Sequence, residues 1–369
     1  MAGATGANGW GMRGHEHAVA ALSHALASGR LAHAYLFSGP PGVGKATLAR
    51  RLAAVLACEA DDRPCLQCRP CRQIEADGFS DVERITVGGV CDQRSHDHAT
   101  DGSTRIRICQ VRRLERVASL APFQSARRIF IIDTLDELQP EAGHALLKTL
   151  EEPPPAVLLV LLAADPEALL PTIRSRCQEI VLRPMVAVEL AVALEEDSTL
   201  PAAEAEELAR LARGRYGLAM QLCQDPSLQV LRESATADVR RLSRGGRNER
   251  FDYAERLARS WQRERESVLT TLDVWCSWWR DVLLATVGVR TSEGATDEVT
   301  GIADDAAVCT PAQALRALQA TQRARDHLLE NTNAQLALEV MMLDLPVLAG
   351  ERAGEIAGQD THAVAAPTG

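Results

Sequence analysis

The sequence has 369 residues, more than one hydrophobic core usually holds, so two or three domains are expected. A hydrophobic fraction of 46% and a charged fraction of 24% are typical of a globular protein, and a net charge of −10 argues against a protein that coats nucleic acid by general electrostatic attraction. Apolar runs such as "AVLLVLLAA" (156–164) are far shorter than the roughly 20 residues that span a bilayer, and no signal sequence is visible, so we expect a cytoplasmic protein without a membrane contact.

The N-terminal region leads from a glycine-rich segment into a strand, a loop and a helix. Residues 1–12, "MAGATGANGWGM", are predicted to be flexible because they are rich in Gly and Ala. Further on, "AHAYLFSG" predicts a short buried strand and "KATLARRLAAVLA" predicts a helix. Strand, loop and helix in this order form the setting that a phosphate-binding loop requires.

The loop itself, within "FSGPPGVGKATLARRLAA" (37–54), departs from a working nucleotidase at one position. Its matching residues are Gly39, Gly42, Gly44 and Lys45. Backbone N–H groups would cradle phosphates and Lys45 would supply a point charge. Ala46 stands where a Ser or Thr hydroxyl would hold Mg²⁺, and Thr47 points about 100° away along the helix. We therefore expect ATP and Mg²⁺ to bind weakly or not at all.

The stretch "CEADDRPCLQCRPC" offers four closely spaced thiols, Cys58, Cys65, Cys68 and Cys71. Two C-x₂-C steps and a nearby fourth cysteine fit tetrahedral Zn²⁺, and four sulfur ligands leave no open position, so the ion would be structural. The alternative is a set of free thiols in a flexible insertion. The other cysteines are expected to be small buried apolar residues, and they are Cys91, Cys109, Cys177, Cys223, Cys276 and Cys309.

Two further apolar runs predict buried parallel strands, "RRIFIID" (127–133) and "AVLLVLLAA" (156–164). Because a helical pattern separates them, residues 13–182 are predicted to form an α/β domain. The first run ends in Asp133, which could reach Mg²⁺ through water. Thr134 follows, where a hydrolytic site normally has a Glu that orients water. Rescue by the acidic residues 136 and 137 is a less favoured alternative.

The stretch "PTIRSRCQEI" (171–180) places Arg174 and Arg176 just before the last strand of this domain. One interpretation is a pair of surface arginines, which the spacing alone favours. The other is an arginine finger, a guanidinium that a subunit presents to the γ-phosphate bound by its neighbour.

The strand signal ends after Pro184, and short helical patterns predict a small helical domain at residues 183–238. Longer amphipathic stretches predict a second all-helical domain at 239–348. A disordered tail is expected at 349–369. The tryptophans of the second helical domain are predicted to lie in its core or at a subunit interface, and they include Trp275, Trp278 and Trp279.

Taken together, several stretches resemble the AAA+ subunits of the bacterial clamp loader of DNA polymerase III, over nearly all of residues 13–346. The stretches are "GRLAHAYLFSGPPGVGK", the four-cysteine insertion, "CQVRRL", "EAGHALLKTLEEPP", "LLPTIRSRC" and "NTNAQLALEVMMLDLP". The resemblance implies an AAA+ P-loop domain with a parallel sheet, a small helical lid domain and an all-α collar domain. The collar would join this chain, the motor subunits tau and gamma, and the delta subunit in a five-membered ring that places a sliding clamp on primer-template DNA.

The same resemblance gives one explanation for all the departures from the ATPase pattern. The positions that lack the expected group are Ala46, Thr134, Ala163, Ala164 and Gly217. Ala163 and Ala164 stand at the first sensor position, and Gly217 stands at the second. Arg215 lies close enough to Gly217 to leave the second sensor position open. The resemblance implies a non-hydrolysing ring member that acts in trans through Arg176. The rivals are an active motor-type ATPase and a zinc-dependent DNA-binding module.

Overall fold

The computed structural model describes most of the chain. The described residues are 9–93, 96, 98, 103–198, 200–289, 298–330 and 332–348. The predicted tail at 349–369 and the first eight residues of the predicted flexible segment 1–12 lie outside them. Within that segment, however, Trp10 and Met12 are buried in a hydrophobic core of the first unit, and the Met12 side chain lies beside Gly44 of the glycine-rich loop.

The chain divides into two compact units, residues 1–226 and 227–369. The strands of the first unit are β1 (Ala34–Ser38), β2 (Val82–Ile85), β3 (Arg128–Ile132), β4 (Val157–Ala163) and β5 (Gln178–Val181). Its helices are α1 (Glu16–Ala27), α2 (Lys45–Ala57), α3 (Arg69–Glu75), α4 (Ile108–Ala118), α5 (Pro140–Glu151), α6 (Pro171–Arg174), α7 (Ala187–Ser198), α8 (Ala202–Ala212) and α9 (Tyr216–Gln224).

The helices of the second unit are α10 (Pro226–Arg244), α11 (Arg247–Trp261), α12 (Arg265–Thr286), α13 (Glu298–Val308), α14 (Pro311–Leu329) and α15 (Ala334–Asp344). Helix α10 runs without a break through position 238/239, where the sequence predicted a boundary between two helical domains. The division of the chain into three domains stays a prediction.

The five strands form one parallel sheet in the order β2-β3-β4-β1-β5. Successive residues of a strand face opposite sides, so Tyr35 and Phe37 of β1 pack with α1, α2 and α3, whereas Leu36 packs with α4 and α5. Helices therefore cover both faces, and this explains why the central strands are continuous apolar runs. The predicted α/β fold is confirmed, with β3 and β4 inside the two predicted strands.

Strand β2 was not predicted from the sequence. It lies at the edge of the sheet, and two of its four residues are Glu83 and Arg84. An edge strand is covered less completely than a central one, so it carries no apolar run that a sequence pattern could reveal.

The carboxyl ends of parallel strands meet at one edge of the sheet, and this edge collects the loops that matter for function. The glycine-rich loop follows β1, and Asp133 follows β3. Strand β4 lies between β1 and β3 and ends at Ala163. The strand order thus brings the loop, Asp133 and the first sensor position to a common edge.

The second unit is built around buried tryptophans. Trp275 and Trp279 are fully buried, and the indole N–H of Trp275 donates to the Ala235 carbonyl at 2.9 Å. Trp278 donates to the Asp305 carboxylate at 3.2 Å. The core interpretation of these residues is confirmed.

Arg250 is an unusual member of this core, because it is buried and donates only to backbone carbonyls. Burial lowers the pKa of its guanidinium, although Glu249 opposes the shift. Its acceptors lie at the ends of α10 and α15, and they are Leu242, Ser243, Met342, Leu345 and Pro346. The guanidinium thereby satisfies helix-terminal carbonyls that would otherwise be buried without donors.

Candidate functional site

The glycine-rich loop has a backbone that requires glycine. Gly39, Gly42 and Gly44 all have positive φ, at 147°, 78° and 115°. A Cβ at Gly39 would overlap the Leu182 carbonyl oxygen, and one at Gly42 would lie 2.9 Å from the Leu218 Cβ. The loop then enters α2 at Lys45, so its N–H groups and the helix N-terminus converge as in a phosphate cradle.

The Lys45 side chain contacts the backbone of the glycine-rich loop. Its ammonium group donates to the carbonyl of Gly39 and, at 3.2 Å, to that of Pro40. Burial lowers the pKa of Lys45, although the carboxylates of Asp133 and Asp136 oppose this shift. A bound phosphate would have to displace these two carbonyls to contact the Lys45 ammonium group.

Helix α9 begins directly against the loop. The backbone N–H of Leu218 donates to the Gly42 carbonyl at 3.2 Å, and a Cβ at Gly217 would lie 2.8 Å from that same oxygen. Position 217 therefore accepts glycine only, and a sensor arginine has no room there. Arg215, the alternative sensor, donates through Nε to the Ala212 carbonyl at 2.9 Å.

Asp133, the predicted magnesium aspartate, forms an ion pair within the protein. Its carboxylate accepts from Arg84 Nη2 at 2.6 Å and from the Thr134 backbone N–H at 3.0 Å. Arg84 comes from β2, next to β3, and also lies 3.3 Å from Asp77. Burial lowers the pKa of Arg84, but the hydrogen bonds and negative charges of Asp133 and Asp77 together outweigh burial and raise the pKa. No sequence pattern marked Arg84 as part of this site.

The acidic residues after β3 have structural partners. Thr134 has a left-handed backbone with φ 56°, which bends the chain away from the strand. The Asp136 carboxylate then accepts from the backbone N–H groups of Ala164 and Asp165 at 2.6 and 3.1 Å. Asp136 thus fixes the turn after β4, a role that does not orient a water molecule.

Arg176, the predicted finger, lies just after α6 with about a third of its side chain exposed. Its Nη2 lies 2.8 Å from Glu151 at the end of α5, and its Nη1 donates to the Thr172 carbonyl at 3.0 Å. Arg174 forms a separate ion pair with Glu167 at 2.7 Å. The structure therefore holds Arg176 at the surface, in a contact that an incoming anion could replace.

The four predicted cysteines do come together. Their sulfur atoms all lie within 4.8 Å of one another, at the C-terminus of α2 and around α3. The N–H of Cys65 donates to Cys58 Sγ at 3.4 Å, and that of Cys68 donates to Cys65 Sγ at 3.3 Å. Hydrogen bonds from the N–H groups of Gln67 and Cys68 lower the pKa of Cys65 to about 6.

These sulfurs are a set that could hold a metal ion, and N–H donors to sulfur favour the thiolate form that binds metal. Burial raises the pKa of Cys71, which a metal ion at this position would offset. A cluster that the sequence analysis missed also lies in this unit. Cys91 and Cys109, expected to be isolated apolar residues, have ligand atoms within 4.8 Å of those of His96 and His98.

The part of the chain that contains the glycine-rich loop and the sheet is similar to subunits of DNA polymerase III. The family model described as DNA polymerase III, delta subunit, matches residues 14–186. DNA polymerase III subunit tau of Salmonella typhimurium is 38% identical over 172 residues, 46% of this chain and 24% of that protein. Subunit gamma of Buchnera aphidicola is 37% identical over 166 residues, 44% and 42% of the two chains.

The chain thus spans less than half the length of the curated relatives it matches. Among solved structures, the DNA polymerase III gamma subunit-related protein of Thermotoga maritima aligns with a TM-score of 0.41 and 15% identity, over 87% of this chain and 97% of that one. Within the described part of the chain, no helix has the length and apolar character needed to cross a membrane. The part of the chain that is similar to DNA polymerase III subunits is therefore residues 14–186, just under half of it, and this part contains the phosphate-binding loop and the parallel sheet.

Proposed function

We propose that this chain is the delta-prime subunit of the DNA polymerase III clamp loader. In this role it is a stator that does not hydrolyse ATP, helps to load the sliding clamp onto primed DNA and supplies Arg176 to a neighbouring motor subunit. The observation that carries the proposal is the 2.6 Å ion pair between Arg84 and Asp133, because it neutralises the carboxylate that a hydrolytic site keeps for Mg²⁺.

The other departures act in the same direction. Ala46 removes the hydroxyl ligand, Thr134 replaces the water-orienting Glu and Gly217 leaves no room for a sensor arginine. Each such group can supply a few kcal/mol of transition-state stabilisation, so losing several together leaves little turnover. The glycine loop and Lys45 persist, which is compatible with weak nucleotide binding.

Arg176 suits a role in trans. Its ion pair with Glu151 joins two partly exposed side chains, and such pairs are worth about 0–1 kcal/mol. Exchanging Glu151 for a neighbour's γ-phosphate therefore costs little. The proposed partners are the motor subunits tau and gamma and the delta subunit in the ring, with the clamp and primer-template DNA reached through the complex.

A structural zinc ion is proposed for the four-cysteine cluster, with Cys58, Cys65, Cys68 and Cys71 as ligands. The fit rests on the four convergent sulfurs and their N–H donors. Zinc bound there would join the end of α2 to α3 and stabilise the connection between them.

A motor-type ATPase is the second candidate, because the matched curated relatives are named tau and gamma and because Lys45 is retained. A zinc-dependent DNA-binding module finds less support, since the net charge of −10 opposes phosphate binding by the isolated chain.

Reconstitution of the loader with purified tau or gamma and delta subunits tests the proposal. With Arg176→Ala, we expect the ring to assemble and its DNA- and clamp-stimulated ATPase to fall by about tenfold or more, since an arginine finger supplies large rate factors. Arg174→Ala is the matched control and should leave the rate near wild type. Unchanged activity of the assembled Arg176→Ala loader would remove the finger assignment.

A further inference from the structure

A second group of metal-ligand side chains lies between β2 and the start of α4. It consists of Cys91, His96, His98 and Cys109, here called the Cys/His cluster. Each residue offers one ligand atom, and these atoms lie within 4.8 Å of one another. The proposed clamp-loader function uses none of the four.

The distances within the cluster are close to those of a tetrahedral site. His98 Nε2 lies 3.1 Å from Cys109 Sγ, and Cys91 Sγ lies 3.8 Å from His96 Nδ1. With Zn–S near 2.3 Å and Zn–N near 2.1 Å, adjacent ligand atoms of tetrahedral zinc are about 3.4–3.8 Å apart. These two pairs are already near that separation, and shifts of up to about 1 Å would bring the remaining pairs, all within 4.8 Å, to it.

The surrounding contacts hold the ligands in place. Asp92, next to Cys91, is paired with Arg113 at 3.0 Å and with Arg116 at 2.8 Å, both on α4. Cys109 itself lies in the first turn of α4. These ion pairs bring the Cys91 side of the connection to the helix that carries Cys109.

His98 is oriented as a metal ligand usually is. It is 3% exposed, and the Ser103 hydroxyl lies 3.5 Å from its Nδ1, on the side away from Cys109. A hydrogen bond at one ring nitrogen directs the other towards a metal, as in most histidine metal sites. Cys109 is also buried.

We propose that the Cys/His cluster binds a second structural zinc ion. Two thiolates and two imidazoles are a usual donor set for structural zinc, and four protein ligands leave no open position. The ion would fasten the β2–α4 connection to the first turn of α4. Its binding does not depend on nucleotide or on ring assembly, so this inference and the proposed function can fail separately.

Zinc content of the purified full chain is the direct test. Metal analysis of protein prepared without chelator should find two zinc ions per wild-type chain and one in Cys91→Ser or His96→Ala. Cys68→Ser should also retain one, and the double variant Cys68→Ser/Cys91→Ser should retain none. Cys223→Ser, outside both clusters, is the matched control and should keep two.

His96→Ala is the variant expected to fold normally, because His96 is exposed and its removal leaves no buried cavity. Loss of zinc in this variant would therefore not result from misfolding. Cobalt substitution separates the two sites, since a Cys₂His₂ site has about half the thiolate ligands of a Cys₄ site. Cobalt-loaded Cys68→Ser, which keeps only the Cys/His cluster, should therefore show weaker thiolate-to-cobalt charge-transfer absorption than cobalt-loaded Cys91→Ser.

The proposal is overturned if the wild-type chain holds a single zinc that Cys68→Ser removes. It is equally overturned if Cys91→Ser and His96→Ala both retain two ions. A disulfide between Cys91 and Cys109, seen as two missing thiols in the unreduced metal-free chain and unchanged by zinc, would also contradict it.

Discussion

Replacing Arg84 with Gln is expected to make the Asp133 carboxylate available to bind Mg²⁺. The two side chains are 33% and 19% exposed and lie 2.6 Å apart. A hydrogen bond to a charged group contributes about 1.5–3 kcal/mol and an exposed ion pair about 0–1 kcal/mol, so this partly exposed pair is worth about 1–2 kcal/mol. Its loss should strengthen magnesium-dependent ATP binding by roughly 5- to 30-fold.

Ala46→Ser supplies the second missing ligand and allows a double-mutant cycle. Alone it should add little, because Asp133 stays paired with Arg84. In combination with Arg84→Gln the gain should exceed the sum of the two single changes, since both groups would then bind one ion. Titration with a fluorescent ATP analogue, with and without Mg²⁺, measures each corner of the cycle.

Arg174→Gln is the matched control, because it removes a similarly exposed arginine from a short ion pair in the same unit. Its nucleotide affinity should equal that of the wild type. If Arg84→Gln leaves magnesium-dependent binding unchanged, or if the wild type already binds Mg-ATP tightly, then Arg84 does not keep the Asp133 carboxylate from Mg²⁺.

Three further predictions concern the packing around this site and the second unit. Gly217→Arg should destabilise the first unit by about 1–3 kcal/mol without raising turnover, since its Cβ would crowd the Gly42 carbonyl; a faster ATPase would contradict this. Arg250→Met should cost about 3–5 kcal/mol in urea unfolding, because several buried carbonyls lose their donor, whereas exposed Arg259→Met should cost under about 0.5 kcal/mol. Burial would raise the pKa of Asp81, but backbone N–H donors and Arg128 lower this pKa below 3.8. The Asp81 carboxylate therefore stabilises the fold fully above pH 3.8, and this stabilisation is lost as the pH falls through the lower folded-state pKa. In urea titrations, Asp81→Asn should be clearly less stable than the wild type at pH 7, and the difference should shrink below about pH 4.

Local patterns predicted the elements that build the loop. Gly39 to Lys45 follow a buried strand and open a helix, and both features leave a short-range signal in the sequence. The β3 and β4 strands were visible for the same reason, because a strand covered on both faces must be apolar throughout.

The features that were missed depend on contacts between distant parts of the chain. Arg84 lies 49 residues before Asp133, on an edge strand without an apolar run, so only the sheet order brings the two together. Cys91 and Cys109 read as isolated cysteines because the histidines near them are spaced irregularly in the sequence. A search for histidines close to each cysteine is the signal that could have found the Cys/His cluster.

ATP turnover by the isolated chain distinguishes a stator from a motor subunit. With Mg²⁺ and without partners, we predict hydrolysis at the background level, identical in wild type and in Lys45→Ala. Turnover well above background that Lys45→Ala abolishes would show that the chain is a motor subunit instead.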